Sequence, residues 1–273
     1  MRYAYAPLRK FRIILEVEMI SFVDTHSHYQ DKAFDADRYE LLERIHNENG
    51  VRSVMVIGYS MEGSEKALEI ADKVDFAYAA VGIHPEDCND LPSDWLDRIR
   101  TMAADPKVKA IGEIGMDYHY EGYDKELQER VFRSQLDLAK ELRLPVSVHV
   151  RDAIEDSMRI LSDYGTVDGV MHCFSGSAET AEQVLKLGMH ISFTGVLTFK
   201  NAKKAIKALE RVPLDRLLTE TDCPYMAPEP YRGQRCDSSM IIEVLKKIAE
   251  IKGITVEEAA AVTSENANKL FGI

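Results

Sequence analysis

Five apolar runs in this chain each lead into a residue that can bind a metal ion, and charged segments with helical spacing lie between them. Few folds accommodate that alternation. The first run, Met19-Ile20-Ser21-Phe22-Val23, leads into Asp24-Thr25-His26-Ser27-His28; the others are 108–113, ending in Glu113, 145–149, ending in His149, 169–172, ending in His172, and 216–222, ending in Asp222. Each has the β-branched and apolar character of a strand buried on both faces. Helical spacing marks 124–143, 152–164, 179–188 and 202–211. Repetition of strand then helix implies parallel strands joined by right-handed crossovers. Further candidate strands at 51–57, 76–81 and 190–193 bring the total to eight. Eight such units predict an α/β (β/α)8 TIM barrel whose active site lies at the C-terminal ends of the strands, where the ligand-type residues fall. A doubly wound open sheet could host similar alternation, but it would not gather the ends of strands one, four, five, six and eight around one point.

The chain has 273 residues, of which 45% are hydrophobic, enough for one large core. Residues 19–273 are expected to form a single TIM-barrel domain, since no Pro/Gly/Ser-rich linker divides them. Residues 1–18 read as an extension of uncertain status: their apolar portion is short and interrupted by Glu16 and Glu18. This argues against a signal peptide, and Met19 is a candidate natural start. No apolar stretch approaches the 18 or so residues of a membrane span, so the sequence predicts a soluble protein without a membrane partner. Cys88, Cys173, Cys223 and Cys236 show no metal-binding or disulfide spacing, which points to a reducing, cytoplasmic compartment. Cys173 and Cys223 directly follow His172 and Asp222; neighbours on an extended chain point to opposite faces, so both read as structural thiols.

Residues i and i+2 of a strand share a face, so His26 and His28 can aim at one point. With His149, His172, Glu113 and Asp222 they exceed what one ion needs. A pair of divalent ions would use all six, with a carboxylate between them. Glu113 is the expected bridge, with His26, His28 and Asp222 on one side and His149 and His172 on the other. Taken singly, His149 or His172 could be hydrogen-bonded core histidines. Glu113 and Asp222 could equally be capping or salt-bridging carboxylates, because Gly115 and Pro224 supply turn chemistry just beyond them. Five strand ends each supplying a suitable group make the joint reading the stronger one.

The chain resembles the TatD family of metal-dependent deoxyribonucleases in the amidohydrolase superfamily. The matching segments are Phe22-Val23-Asp24-Thr25-His26-Ser27-His28, Val81-Gly82-Ile83-His84-Pro85, Ile111-Gly112-Glu113-Ile114-Gly115-Met116-Asp117-Tyr118, Pro145-Val146-Ser147-Val148-His149-Val150-Arg151, His172-Cys173-Phe174-Ser175-Gly176 and Glu220-Thr221-Asp222-Cys223-Pro224-Tyr225. Pro228 and Pro230-Tyr231-Arg232-Gly233 extend a match that runs from about residue 20 to residue 271. The resemblance implies a metal site of His26, His28, Glu113, His149, His172 and Asp222. It also implies divalent-cation-dependent hydrolysis of DNA phosphodiesters, often as a 3′-end exonuclease. Two departures are visible. Cys236-Asp237-Ser238-Ser239 stands where many members carry an Asn-Glu-Pro-like stretch, in a loop expected to border the mouth of the site. The carboxylated lysine of other amidohydrolases is replaced by Glu113.

These residues support a mechanism with two divalent ions, Mg²⁺, Mn²⁺ or Zn²⁺, and Asp222 as the general base. His84, Arg151, Arg232 and Tyr118 are the candidate phosphate contacts. The formal balance of 34 basic and 46 acidic residues, −12, disfavours an extended grip on duplex DNA. It favours short engagement of single-stranded DNA or strand ends. Lys200, Lys203 and Lys204 could assist, although a solvated helix face explains them better. A hydrolase of another small ester, lactone or acylated nucleotide would keep every ligand. A non-enzymatic metal-binding scaffold is the weaker rival.

Overall fold

The computed structural model describes residues 19–273; the extension expected at 1–18 lies outside the described residues. Strand and helix alternate as β1 (Phe22–Ser27), α1 (Arg38–Asn49), β2 (Val51–Ile57), α2 (Met61–Lys73), β3 (Ala77–Val81), α3 (Trp95–Met102), β4 (Val108–Asp117) and α4 (Lys125–Leu142). They continue as β5 (Val146–Arg151), α5 (Ile154–Asp163), β6 (Gly169–Met171), α6 (Ala178–Lys186), β7 (His190–Phe193), α7 (Lys203–Arg211), β8 (Leu217–Thr219), α8 (Ile241–Lys252) and α9 (Val256–Phe271). Every neighbouring pair from β1–β2 to β7–β8 is parallel, and the strands follow one another in chain order. A parallel bridge between Ser27 and Cys223 closes the ring between β8 and β1, with His28 N–H donating to Cys223 O at 2.8 Å. The fold is a (β/α)8 barrel.

Successive strand residues face opposite sides, and the core divides accordingly. In β2, Val54 and Val56 pack in the larger hydrophobic cluster with the helices, whereas Met55 and Ile57 join a smaller one. Val23, Ala80, Ala110, Val170 and Leu218 belong to the smaller cluster, with Leu270 and Phe271 from the end of α9 and Ile273 just beyond it. The last helix thus closes one end of the barrel interior, opposite the site. Its start is fixed by a capping box in which Thr255 and Glu258 satisfy each other's backbone N–H groups. In α4, Asp124 caps the first turn, Arg143 ends the helix in the left-handed conformation, and Phe132, Leu136 and Ala139 form the buried stripe. Burying a side chain of Phe132's size contributes about 1.5–3 kcal/mol.

Two strands depart from regularity where ligand-type residues sit. Pairing of β1 with β2 slips between Asp24 and Ser27, and pairing of β4 with β5 slips between Ile111 and Ile114. Such irregularities at a barrel rim re-aim side chains. The expected strand end at Glu113 is corrected: β4 runs on to Asp117. Gly115 makes no turn; its φ of +148° brings β4 so close to β5 that a Cβ there would lie 1.9 Å from His149 O.

Candidate metal centre

β1 supplies His26, and His28 follows directly beyond it; β4 supplies Glu113 and β5 supplies His149. His172 is the first residue after β6. Asp222 stands three residues past β8 in the left-handed region, φ 59°. The structure brings all six together. Glu113 Oε2 lies 3.4 Å from His26 Nε2 and 3.6 Å from His28 Nε2. Its other oxygen, Oε1, lies 2.9 Å from His149 Nδ1 and 2.8 Å from His172 Nε2. Asp222 Oδ1 completes the first group at 3.2 Å from His28 Nε2 and 3.7 Å from His26 Nε2.

The seam between β1 and β8 that joins His26, His28 and Asp222 is held by Asp24. Its carboxylate accepts from Thr221 N at 3.0 Å, Thr221 Oγ at 2.6 Å, Ser238 Oγ at 2.6 Å and His26 N at 3.2 Å. Burial pushes Asp24 up to about 7, against the pull of these four donors. Ser238 also pairs with the Tyr29 hydroxyl at 2.7 Å. Cys236 and Ser238 are fully buried. The loop that departs from the family pattern therefore braces the barrel seam at these two residues.

The donor set suits cations. His26 Nε2 and His28 Nε2 are 3.2 Å apart, as are His149 Nδ1 and His172 Nε2. Two imidazole lone pairs at that separation need a proton or a cation between them. Each ring's remote nitrogen faces an outer partner. His28 Nδ1 donates to Ile57 O at 3.0 Å, and His26 Nδ1 lies 3.3 Å from Ser147 Oγ. His149 Nε2 lies 3.0 Å from Asp117 Oδ2, and His172 Nδ1 lies 3.4 Å from Glu220 Oε1. Outer partners of this kind fix tautomer and ring orientation in metal sites.

Sequence reasoning missed Asp117 and Glu220. Glu220 is fully buried; its Oε1 accepts from Cys173 N at 2.5 Å, while its Oε2 and His172 Nδ1 lack well-formed hydrogen bonds among the described residues. Its place just beyond β8 and two residues before Asp222 was the available signal.

Burial raises the pKa of Glu113, but the imidazoles of His172, His26, His84 and His149 more than offset this and hold it well below the carboxylate range. Asp222 is lowered in the same way, burial being outweighed chiefly by His28. Burial depresses His28, His149 and His172, yet their carboxylate neighbours leave all three above the usual value, His172 well above. His26 stays low through burial and the charge of His172. The cluster is thus acidic at its carboxylates and retentive of protons at three imidazoles until a cation displaces them.

The centre lines a cavity of about 710 Å³ at the C-terminal mouth of the barrel. His84 and Arg151 line it as well. His84 Nδ1 accepts from Glu86 N at 3.2 Å, which leaves the proton on Nε2, 3.8 Å from Glu113 Oε1. Burial and the neighbouring His149 bring His84 down to about 3, so the ring is a neutral donor. His84, Asp117 and His149 also form an alternative three-residue cluster able to hold a cation. The other two candidate phosphate contacts do not line the cavity. Arg232 lies over the Phe199 ring, 4.3 Å from its centroid, and Tyr118 donates its hydroxyl to Asp156 at 3.0 Å while stacking on Tyr123. The four cysteines are free thiols, and Cys223 sits at the closing bridge of the barrel.

Mixed imidazole and carboxylate donors gathered at the C-terminal ends of a (β/α)8 barrel define a metal-dependent hydrolase. The family model described as TatD related DNase matches residues 23–272, and the chain belongs to the TatD family. It is 45% identical over 252 residues to a Bacillus subtilis protein named as the uncharacterized metal-dependent hydrolase YabD, covering 92% of this chain and 98% of that protein. A Rahnella protein named as the 3′-5′ ssDNA/RNA exonuclease TatD is 34% identical over 248 residues, 88% of this chain and 94% of its own. Among solved structures, the TatD homologue YJJV of Escherichia coli superposes with a TM-score of 0.88 at 30% identity, covering 93% of this chain and 99% of that one.

Proposed function

We propose that this protein is a divalent-metal-dependent nuclease that hydrolyses DNA phosphodiesters at unpaired strand ends, as a 3′–5′ exodeoxyribonuclease. The observation that carries this reading is the division of labour at Glu113, whose two oxygens each face a separate pair of imidazoles. Names of relatives as 3′-5′ ssDNA/RNA exonucleases support the polarity and the single-stranded substrate.

His26, His28, Asp222 and Glu113 would hold one ion, and His149, His172 and Glu113 the other. Bound there, a pair of Mg²⁺, Mn²⁺ or Zn²⁺ ions supplies a water acidified to near-neutral pKa and a Lewis acid for the phosphoryl oxygens. Asp222 accepts the proton of the attacking water; its lowered pKa keeps it ionised for that task. Arg151 and the Nε2–H of His84 donate to the non-bridging oxygens as negative charge develops. The excess of acidic residues disfavours a broad electrostatic grip and fits engagement of a short terminal segment.

The test is cleavage of 3′- and 5′-labelled single-stranded DNA with Mg²⁺, Mn²⁺ or EDTA, beside Asp222→Asn protein. The reading expects metal-dependent shortening from the 3′ end that disappears in the variant. No cleavage by folded, metal-loaded protein overturns it in favour of another hydrolytic substrate.

A further inference from the structure

The cavity presents a problem for any polyanionic substrate. Its lining carries six carboxylates, Asp31, Glu86, Asp87, Glu113, Asp117 and Asp222, against one permanently cationic side chain, Arg151. Ions at the centre can hold the phosphate under attack, but the lining offers little charge to hold its neighbours. The grip on the rest of the strand must come from something other than phosphate contacts.

Exposed aromatic rings supply it. Eight large hydrophobic side chains are exposed among the described residues, and five of them, Tyr120, Tyr123, Tyr225, Met226 and Tyr231, lie in just two loops, those following β4 and β8. In a barrel of eight strands in chain order, β4 and β8 stand across from each other. Two of these residues, Tyr120 and Tyr225, line the metal cavity itself, at 58% and 52% exposure. They therefore rise from opposite rims with the metal centre between them.

Both rings are pre-set. The Tyr225 hydroxyl donates to Asp31 at 3.1 Å and its backbone N–H to Asp222 O at 3.0 Å. The next residue is fixed by close packing: a Cβ on Gly195 would lie 2.1 Å from Met226 O. Tyr120 has the Arg151 guanidinium 5.4 Å from its ring centroid and the His119 ring edge-on at 4.9 Å. It also borders a second cleft of about 370 Å³ beside the metal cavity. A ring already held in place loses little conformational entropy when a flat ligand stacks on it.

We propose that Tyr120 and Tyr225 form a base-stacking clamp, each ring taking one nucleobase beside the phosphodiester at the metal centre. The clamp rests on the phosphodiesterase reading above and deepens it by assigning the grip to bases over backbone. It selects unpaired strands, because base faces inside a duplex are covered by their neighbours. Stacking of this kind tolerates any base, since every base has a π-face.

The experiment compares wild-type, Tyr120→Leu, Tyr225→Leu and Tyr225→Phe proteins, all metal-loaded. Fluorescence anisotropy measures their binding to a phosphorothioate oligothymidylate and to a phosphorothioate oligomer of equal length with abasic 3′-terminal residues. The wild type is expected to prefer the base-bearing oligomer. Each leucine variant should lose about fivefold to about 150-fold of that preference, while Tyr225→Phe, which keeps the ring and loses only its bond to Asp31, retains most of it. A wild-type preference near one, or leucine variants that weaken both oligomers equally, would overturn the clamp. Hydrolysis of bis(p-nitrophenyl) phosphate by the wild type tests the phosphodiesterase reading separately. Cleavage of this ester without base preference removes only the clamp. Base preference without cleavage leaves the clamp standing and removes the reaction.

Discussion

Glu220 offers a sharp test of how the centre is held together. Its Oε1 accepts from Cys173 N at 2.5 Å and lies 3.4 Å from His172 Nδ1, so its charge favours a proton on Nδ1 while Nε2 is directed at Glu113. Glu220→Gln keeps an acceptor oxygen at that position and removes only the charge. Glu220→Ala removes both, and also leaves the Cys173 N–H without its acceptor, at a cost of about 1–3 kcal/mol in fold stability. Loss of an outer-shell partner typically weakens metal binding by about 10- to 100-fold, or about 1.4–2.7 kcal/mol. The glutamine variant should fall near the lower end and the alanine variant near the upper. The site built on His149 and His172 should weaken more, since Glu220 makes no hydrogen bond or ion pair with His26, His28 or Asp222 among the described residues and reaches His26 only through its charge. Isothermal titration of metal-free protein with Mn²⁺ reads both sites, and thermal melting reads the fold. Unchanged affinity in both variants, or equal weakening of both sites, would refute the reasoning.

Metal-free protein should show an unusual stability profile. Folded-state pKa values of His28, His149 and His172 lie above the usual 6.5, so the stability they contribute is fully present below pH 6.5 and is lost as pH rises through the raised values. In EDTA, Tm should therefore decline above about pH 6.5, whereas saturating Mn²⁺, which replaces those protons, should reverse the trend; melting curves across pH decide it. Mn²⁺ affinity should rise with pH over the same interval, with proton release measurable in buffers of differing ionisation enthalpy. Gly115→Ala should destabilise by about 3 kcal/mol or more, because its Cβ would lie 1.9 Å from His149 O; urea unfolding checks this.

The barrel was legible because its strands announce themselves as apolar runs separated by amphipathic helices, and the order of those runs leaves little topological freedom. The six ligand-type residues were legible as donors at or just past those runs, and the structure places them in one cluster. Less visible was how they are supported. Asp24, Asp117 and Glu220 act through cross-strand neighbours more than 30 positions away in the chain, such as Thr221 for Asp24 and His149 for Asp117, and local pattern carries no trace of such pairings. Gly115 was ambiguous for a related reason. Glycine permits both a turn and a close approach between strands, and only the position of β5 decides between them. Arg232 and Tyr118 were chosen for their chemistry near motif residues, but their side chains are engaged by Phe199 and Asp156. Tyr120 and Tyr225 lie in loops without periodicity, where exposure is settled by the fold alone.

The central claim is that one cluster forms two cation sites divided by Glu113. Anomalous diffraction from crystals grown with Mn²⁺ tests it most directly. The account predicts two peaks about 3.5–4 Å apart, one among His26, His28 and Asp222 and one beside His149 and His172, each bonded to a different Glu113 oxygen. A single peak, or a peak held by His84, Asp117 and His149 away from Glu113, would contradict it.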